Sequence, residues 1–457
     1  MRPRTDALGL ETEEMRRLGY WVVDRVVEHF EHVAEDPAIQ VAPAAELRAA
    51  LGGPVPEAPG DPTEAMQTLL EVALANMQHG DHPRYFARVP APSSFAGVLG
   101  EWLGTGFNTI ASSWTGSSGP VTLELVVLDW LRQLLGLPDG TEGVLLSGGS
   151  VSNLTALAAA RQAVGPGVAY LSDQTHASLV RALATLGFGA EEIRVLPSDG
   201  RLRLAAGVVR EAVGEDRRRG REPRFIIATA GTTNTGAVDE LEGLAALAAD
   251  EAMWLHVDGA YGAPAALCPA GREPLRGMQQ ADSLVLDPHK WLFSPIDIGC
   301  LFVRRPGALA GAFSMRPEYL ADVRPGNGEV NFGDLSPELT RRSRALKLWL
   351  MFRTYGAERL RTAIARGIAL AEHAQRELEA DAEWEVITPA QLGIVTFTRA
   401  GWDDADHAER VAVLSASGYA TMTSTRLRGR AALRLCTINP RTTESDIEQT
   451  LQRLAGG

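Results

Sequence analysis

Between residues 143 and 303 the chain repeats one pattern: a short apolar run, a turn, then a stretch of helical periodicity. The apolar runs fall at 144–146, 168–171, 193–196, 225–229, 254–257, 283–286 and 300–303. They are too short for helices and show no polar face, which predicts strands buried on both sides. Helical stretches such as 154–164, 178–186, 205–213 and 242–250 separate several of them. This alternation constrains the fold to α/β, with a mostly parallel seven-stranded sheet and helices on both faces. Ligands of such sheets sit beyond the carboxyl ends of the strands.

Three chemically distinctive turns fall at those ends. Ser147-Gly148-Gly149-Ser150 follows the first strand and opens onto a helix near Ser152-Asn153. Small residues there let backbone N–H groups approach an anion, and the helix N-terminus adds a favourable dipole. Asp258 ends the fifth strand, and Lys290 follows the sixth in Asp287-Pro288-His289-Lys290-Trp291. Alone, each is an ordinary turn, cap or surface lysine. A lysine shielded from solvent, however, is favoured as the neutral amine, a nucleophile toward carbonyls. A phosphate cradle, a carboxylate and a lysine together suit pyridoxal phosphate: the lysine attaches it, the carboxylate keeps its ring nitrogen protonated and the turn holds its phosphate. No G-x-S-x-G elbow surrounds Ser150, and no GxGxxG follows the first strand, so hydrolase and dinucleotide readings are disfavoured.

Further stretches occur in order around these: HPRYF (82–86), ELVVLDWL (124–131), LLSGGSVSNLTAL (145–157), LSDQTHASLVRA (171–182), ATAGTTNTGAVD (228–239), HVDGAYG (256–262), DPHKW (287–291) and RRSRALKLW (341–349). With this ordered set the chain resembles the pyridoxal-phosphate-dependent amino acid decarboxylases of the aromatic amino acid and glutamate decarboxylase group. The resemblance implies a fold-type-I, aspartate aminotransferase-like architecture and a homodimer with active sites at the subunit interface. It implies that Lys290 holds the cofactor, Asp258 meets the ring nitrogen, and His176 stacks on the ring and assists proton transfer. Gly149 and Ser150 would hold the phosphate, Thr233 would touch the cofactor, Ala260 would pack on the ring face and His289 would neighbour the lysine. The stretch from His82 to Pro90 would line the substrate entrance. Aromatic decarboxylases carry aromatic side chains where this chain has Arg88 and near Ser112, so Arg88, Pro90 and Ser112 are the candidate substrate contacts.

The remainder sets limits. A length of 457 residues allows two or three domains. They are expected at 1–80 (helical arm contacting the partner), 81–357 (large cofactor-binding domain) and 358–457 (small α+β domain). The arm contains a predicted helix over 11–34, a Pro-rich connector over 41–62 and a helix over 63–77. Helices are predicted over 119–137, 339–355, 358–380, 404–417 and 442–454, the last capped by Thr443 or Ser445. Strands are predicted at 384–387, 394–398 and 433–437, and a mobile loop over 319–337. A net charge of −13 argues against nucleic acid. No apolar run spans a bilayer and no secretory apolar core follows Met1. Cys268, Cys300 and Cys436 lie far apart without metal spacing, so no metal and a reducing cytoplasm are expected.

Two departures from the family pattern bear on chemistry. Asp287 stands where family decarboxylases commonly carry Asn near the phosphate, and would repel it unless paired or turned away. Phe332 stands where the family's mobile loop carries a tyrosine that returns a proton to the product carbanion. Phenylalanine has no proton to give. The expected activity is decarboxylation of an L-amino acid, with aromatic substrates favoured, to the amine. The alternative is decarboxylation-dependent oxidative deamination to an aldehyde, with ammonia and peroxide. An aminotransferase and a catalytically silent relative are the remaining readings.

Overall fold

The computed structural model describes residues 8–315, 326 and 328–456. Its large sheet is built from β1 (Glu142–Leu146), β2 (Val168–Ser172), β3 (Ile193–Leu196), β4 (Pro223–Thr229), β5 (Trp254–Asp258), β6 (Ser283–Leu286) and β7 (Gly299–Val303). The order is β1-β7-β6-β5-β4-β2-β3. β7 runs antiparallel to both β1 and β6; the other pairings are parallel. Every residue of β2, β5, β6 and β7 is buried. Helices Gly149–Val164, Ala177–Thr185, Ala206–Arg218 and Leu241–Asp250 form the crossovers, so each strand end turns into a helix start on the same edge of the sheet. The mostly parallel seven-stranded α/β expectation holds.

A second sheet follows from β8 (Trp384–Gln391), β9 (Ile394–Arg399), β10 (Thr423–Leu427) and β11 (Arg430–Cys436), antiparallel in the order β10-β11-β9-β8. Helices Ala345–Ala380, Asp404–Ala416 and Glu444–Gly456 pack against it or against one another. β10 was not expected: it reads Thr-Ser-Thr-Arg-Leu, an edge strand whose alternate residues face solvent and which carries no apolar run.

Other elements differ in detail. The 41–62 connector contains a helix, Ala44–Leu51, made of strong helix formers. The 63–77 helix becomes Pro62–Thr68 followed by a wider π-turn, Leu69–Leu74. The predicted helices over 339–355 and 358–380 are one element, Ala345–Ala380, bent at Gly356 with φ 69°. Residues before Ala345 pair with the 110–112 strand-like segment instead, with Ala111 N–H donating to Arg341 O at 2.8 Å. Thr443 caps the last helix, accepting from Asp446 N–H at 3.2 Å. Of the expected loop, 319–325 and 327 lie outside the described residues, whereas 332–334 form a short 3-10 turn. Among the described residues, no helix is long and apolar enough to cross a membrane.

Two close contacts lock the site's surroundings. Arg341 and Glu124, both fully buried, form a two-pronged ion pair at 2.7 and 3.0 Å. Arg341 also donates to Ala111 O and Leu145 O, and Glu124 accepts from Leu145 N–H, so the pair anchors β1. Gly100, in the helix Phe95–Gly106, lets that helix press on Ala345–Ala380: a Cβ there would lie 2.5 Å from Lys347 Cα.

Candidate active site

A cavity of about 330 Å³ opens at the carboxyl ends of β1, β2, β4, β5 and β6. Lys290, Asp258, His176, Gly149, Ser150, Thr233, Ala260 and His289 all line it, together with Asn153, Ser178, Thr229 and Asp287. Residues far apart in sequence meet because each follows a strand that ends on the same sheet edge.

The β1 turn gives the N-terminus of the sixteen-residue helix Gly149–Val164. Gly149 sits hard against the opposite wall. A Cβ there would be 2.9 Å from Asp287 Oδ2 and 3.2 Å from the Ala260 methyl. Glycine thus keeps open the space directly before the helix N-terminus.

Lys290 lies on the short helical turn Pro288–Trp291. Its ammonium is 2.9 Å from Asp287 Oδ2, and a quarter of its side-chain surface remains open. The expectation of a neutral amine needs correcting. Burial works to lower the lysine's proton affinity, but the Asp287 carboxylate three residues earlier outweighs it, and the net direction is upward. Asp287 is almost fully buried. Its Oδ1 has no hydrogen-bond partner among the described residues. His289 donates from Nδ1 to Ile298 O at 2.5 Å, which turns Nε2 toward Asp287 at 3.7 Å. Burial holds this imidazole below its ordinary proton affinity.

Asp258 closes β5. Its Oδ1 accepts from Ala260 N–H at 3.0 Å and its Oδ2 from the Asn153 amide at 3.2 Å. Asn153 in turn touches His256, whose ring is fully buried and pushed down to about 4 by burial. His176 follows β2 and caps the helix Ala177–Thr185, accepting at Nδ1 from Ser178 N–H at 3.3 Å.

The four remaining candidates stand elsewhere. Phe332 is fully buried, with its ring under the Arg341 guanidinium at 4.9 Å, and does not line this chain's cavity. Ser112 is a neighbour of that segment: its O accepts from Gly333 N–H and its Oγ from Arg341 N–H. Arg88 is exposed, in a left-handed conformation with φ 47°, and donates to Gln78. Pro90 is buried beside it in sequence and also lies off the cavity lining.

Asn153, Ser178 and His256 sat inside recognised motifs without an assigned role. Arg434 lay outside all of them. It interrupts the apolar run Leu433-Arg434-Leu435-Cys436 in β11, and a charged residue there is the signal that could have found it. Arg434 is 2% exposed. It donates to Thr423 Oγ1 and Asn234 O. Its Nη2 is buried without a partner among the described residues. Tyr261, which stands close enough to affect it electrostatically, also lines the cavity.

Pyridoxal phosphate fits this arrangement. Glycine keeps space open at a helix N-terminus, and two buried oxygens on the cavity wall, Thr229 Oγ1 and Asp287 Oδ1, lack protein partners among the described residues. A lysine and a hydrogen-bonded carboxylate face the same space. An amine and a hydrogen-bond-accepting carboxylate are the groups that an aldehyde-bearing, phosphorylated pyridine requires.

Comparison with known proteins agrees. Residues 46–400 match the pyridoxal-dependent decarboxylase conserved domain. The chain is 42% identical over 463 residues to an aromatic-L-amino-acid decarboxylase of Bacillus atrophaeus, covering 98% of this chain and 96% of the relative. It is 32% identical to a phenylacetaldehyde synthase of Arabidopsis thaliana, covering 96% and 95%. Among solved structures, Oryza sativa TDC with PLP and tryptamine superposes with a TM-score of 0.93 at 28% identity, over 98% of each chain. Rhodiola rosea 4-hydroxyphenylacetaldehyde synthase superposes with a TM-score of 0.90 at 27% identity, also over 98% of each. With its fold-type-I architecture, this chain belongs to the pyridoxal-dependent decarboxylase family and is a pyridoxal-phosphate-dependent carboxy-lyase.

Proposed function

We propose that this enzyme removes carbon dioxide from an aromatic L-amino acid and releases the amine. The observation that carries the site assignment is the convergence of Lys290, Asp258 and the Gly149 helix N-terminus on one cavity. The aromatic class rests on likeness over nearly the whole chain to the Bacillus atrophaeus enzyme. When bound, pyridoxal phosphate supplies an electron sink for the pair left behind as the carboxylate departs.

The chain's residues divide the remaining work. Lys290 is the attachment point, and Asp287, at 2.9 Å, pairs with its ammonium and holds it at the cavity. Gly149 and Ser150, at the helix N-terminus, would hold the phosphate, and Thr233 would contact the cofactor. Asp258 would meet the ring nitrogen and keep it protonated, and His176 and Ala260 would line the ring faces. His289 holds the lysine's turn through Ile298 O. Arg434 offers its unpartnered Nη2 to the substrate carboxylate. Arg88, Pro90 and Ser112 belong to the substrate entrance.

The active unit is proposed to be a cytoplasmic homodimer. The apolar surface exposed by Tyr20, Leu69, Leu74 and Phe107 suits a subunit contact. Three buried free cysteines suit a reducing compartment. The proposed division is an arm to residue 80, a cofactor-binding domain to 357 and a small domain beyond. The Gly356 bend falls beside the second boundary.

A second reading, oxidative deamination to the aldehyde, is favoured by Phe332 and by aldehyde synthases among the relatives. The deciding experiment supplies the loaded enzyme with a panel of L-amino acids under air and follows carbon dioxide, amine, ammonia and peroxide. Carbon dioxide matched by amine supports decarboxylation. Carbon dioxide matched by ammonia and peroxide overturns it in favour of the aldehyde, and Phe332→Tyr is then expected to restore amine formation.

A further inference from the structure

Beneath the cavity lies an unbroken chain of polar side chains, buried except at its Ser178–His176 end. Trp254 Nε1 is 2.8 Å from Ser283 Oγ, and Ser283 Oγ is 2.8 Å from His256 Nδ1. His256 Nε2 is 3.0 Å from Asn153 Oδ1. Asn153 Nδ2 reaches Asp258 Oδ2 at 3.2 Å and Ser178 Oγ at 3.4 Å, and Ser178 Oγ is 2.8 Å from His176 Nδ1. Trp254, Asn153, His256, Ser283 and Asp258 are all buried.

The Asp258 carboxylate fixes the direction of the links. A carboxylate only accepts, so the Asn153 NH₂ faces Asp258 and Ser178 and the Asn153 carbonyl faces His256. His256 Nε2 therefore carries the ring proton and donates it to that carbonyl. Nδ1 of the neutral ring then accepts from the Ser283 hydroxyl, which itself accepts from the Trp254 indole N–H. Ser178 passes its hydroxyl proton to His176 Nδ1, which already accepts from Ser178 N–H. His176 therefore carries its proton on Nε2.

The geometry points to Asn153 as a positioning residue that couples the two groups addressing the cofactor. It holds Asp258 as a hydrogen-bonded carboxylate and, through Ser178, fixes His176 as the Nε2–H tautomer, while neutral His256 locks the amide's orientation. Burial of His256, which keeps it uncharged, agrees with this role. A cationic imidazole would have to donate from both nitrogens and would turn the Ser283 link around. This inference rests on the assignment of Asp258 to the ring nitrogen.

The test compares purified apoprotein of the wild type with Asn153→Asp, His256→Leu, His256→Gln and Asp258→Asn. The dissociation constant for pyridoxal 5′-phosphate and the absorption spectrum of the loaded protein are measured, with the thermal midpoint of each apoprotein alongside. Asn153→Asp keeps the shape but replaces a donor with an acceptor facing Asp258. Its dissociation constant is expected to rise about 10-fold or more, with altered proportions of the visible bands. His256→Leu is expected to move both readouts in the same direction. His256→Gln, which retains a donor and an acceptor, should restore them to within about 3-fold of wild type. If Asn153→Asp and His256→Leu bind and absorb like the wild type while Asp258→Asn does not, the coupling is overturned and the Asp258 assignment stands. If Asp258→Asn also leaves both readouts unchanged, the Asp258 assignment itself falls. A thermal midpoint lowered equally by His256→Leu and His256→Gln, with unchanged spectra, would mean a purely structural network and would overturn the proposal. Should Asn153→Asp fail to fold, the His256 pair decides by the same criteria.

Discussion

Two of the ion pairs beside this sheet, Arg341–Glu124 and Lys290–Asp287, differ in what their carboxylates leave undone. In Arg341–Glu124 both carboxylate oxygens are engaged, the guanidinium binds two carbonyls as well, only its Nε lacks a partner among the described residues, and neither side chain exposes any surface. In Lys290–Asp287 one carboxylate oxygen lacks a partner among the described residues, and a quarter of the lysine faces a cavity. The first pair's carboxylate is used up in holding β1 against its neighbours, and neither partner lines the cavity. The second is left incomplete beside empty space. A buried charge with spare bonding capacity is where a ligand belongs, because leaving it unmet costs stability that structure alone does not repay.

Substitution should separate the two pairs. The largest effect is expected at the incomplete one. Lys290→Ala should abolish the visible cofactor band and reduce turnover by roughly 10⁴-fold or more. A variant keeping both would sink the assignment of the lysine. At the complete pair, Glu124→Gln strands a buried guanidinium and should cost about 3–5 kcal/mol in urea unfolding. The fraction that folds should bind cofactor as the wild type does; weakened binding there would erase the contrast.

Asp287→Asn should be milder. Without this carboxylate, burial is opposed mainly by the more distant Asp258, so the pH midpoint for cofactor attachment to the apoprotein should fall by about 1–3 units. An unmoved midpoint would show that Asp287 does not govern the lysine. The smallest effect concerns neither pair and serves as a control. His82 is buried and held down to about 4, against about 6.5 for the unfolded chain. Between those values the unfolded state binds the extra proton, so stability falls as pH drops from 6.5 toward 4, by about 1.4 kcal/mol per pH unit. His82→Gln should flatten that acid limb in urea midpoints taken at pH 5 and 7, while leaving Lys290's attachment profile where it is. An equally steep limb in the variant would remove His82 from the account.

How far each feature could be foreseen follows from its physics. The central strands were legible because a strand covered on both faces must be apolar nearly throughout, and the edge strands β1 and β3 kept enough apolar residues to be read with them. β10 was not, because a half-exposed edge strand carries the same polar residues as a loop. The cavity's lining was legible wherever a residue stood directly after a strand, as Gly149, His176, Asp258 and Lys290 do. Lys290's charge state was misjudged because burial was weighed without its partner three residues back. Arg434 escaped notice because it lies in the second sheet, with no motif to mark it. Phe332 could be aligned but not placed; its ring packs under Arg341 through a contact no spacing rule records.

The antiparallel strand β7 sets an order of assembly. β1 has no parallel neighbour: it joins the sheet only by pairing with β7, Leu146 opposite Gly299, about 150 residues later in the chain. Gly148 and Gly299 also touch so closely that a Cβ on Gly299 would overlap Gly148. On a ribosome, the glycine turn is therefore made early, but its strand joins the sheet only once β7 emerges. Lys290 lies on the connection between β6 and β7, so the same insertion delivers both ends of the cavity at once. A chain ending before residue 299 lacks the strand that joins β1, with its glycine turn, to the sheet that carries Lys290.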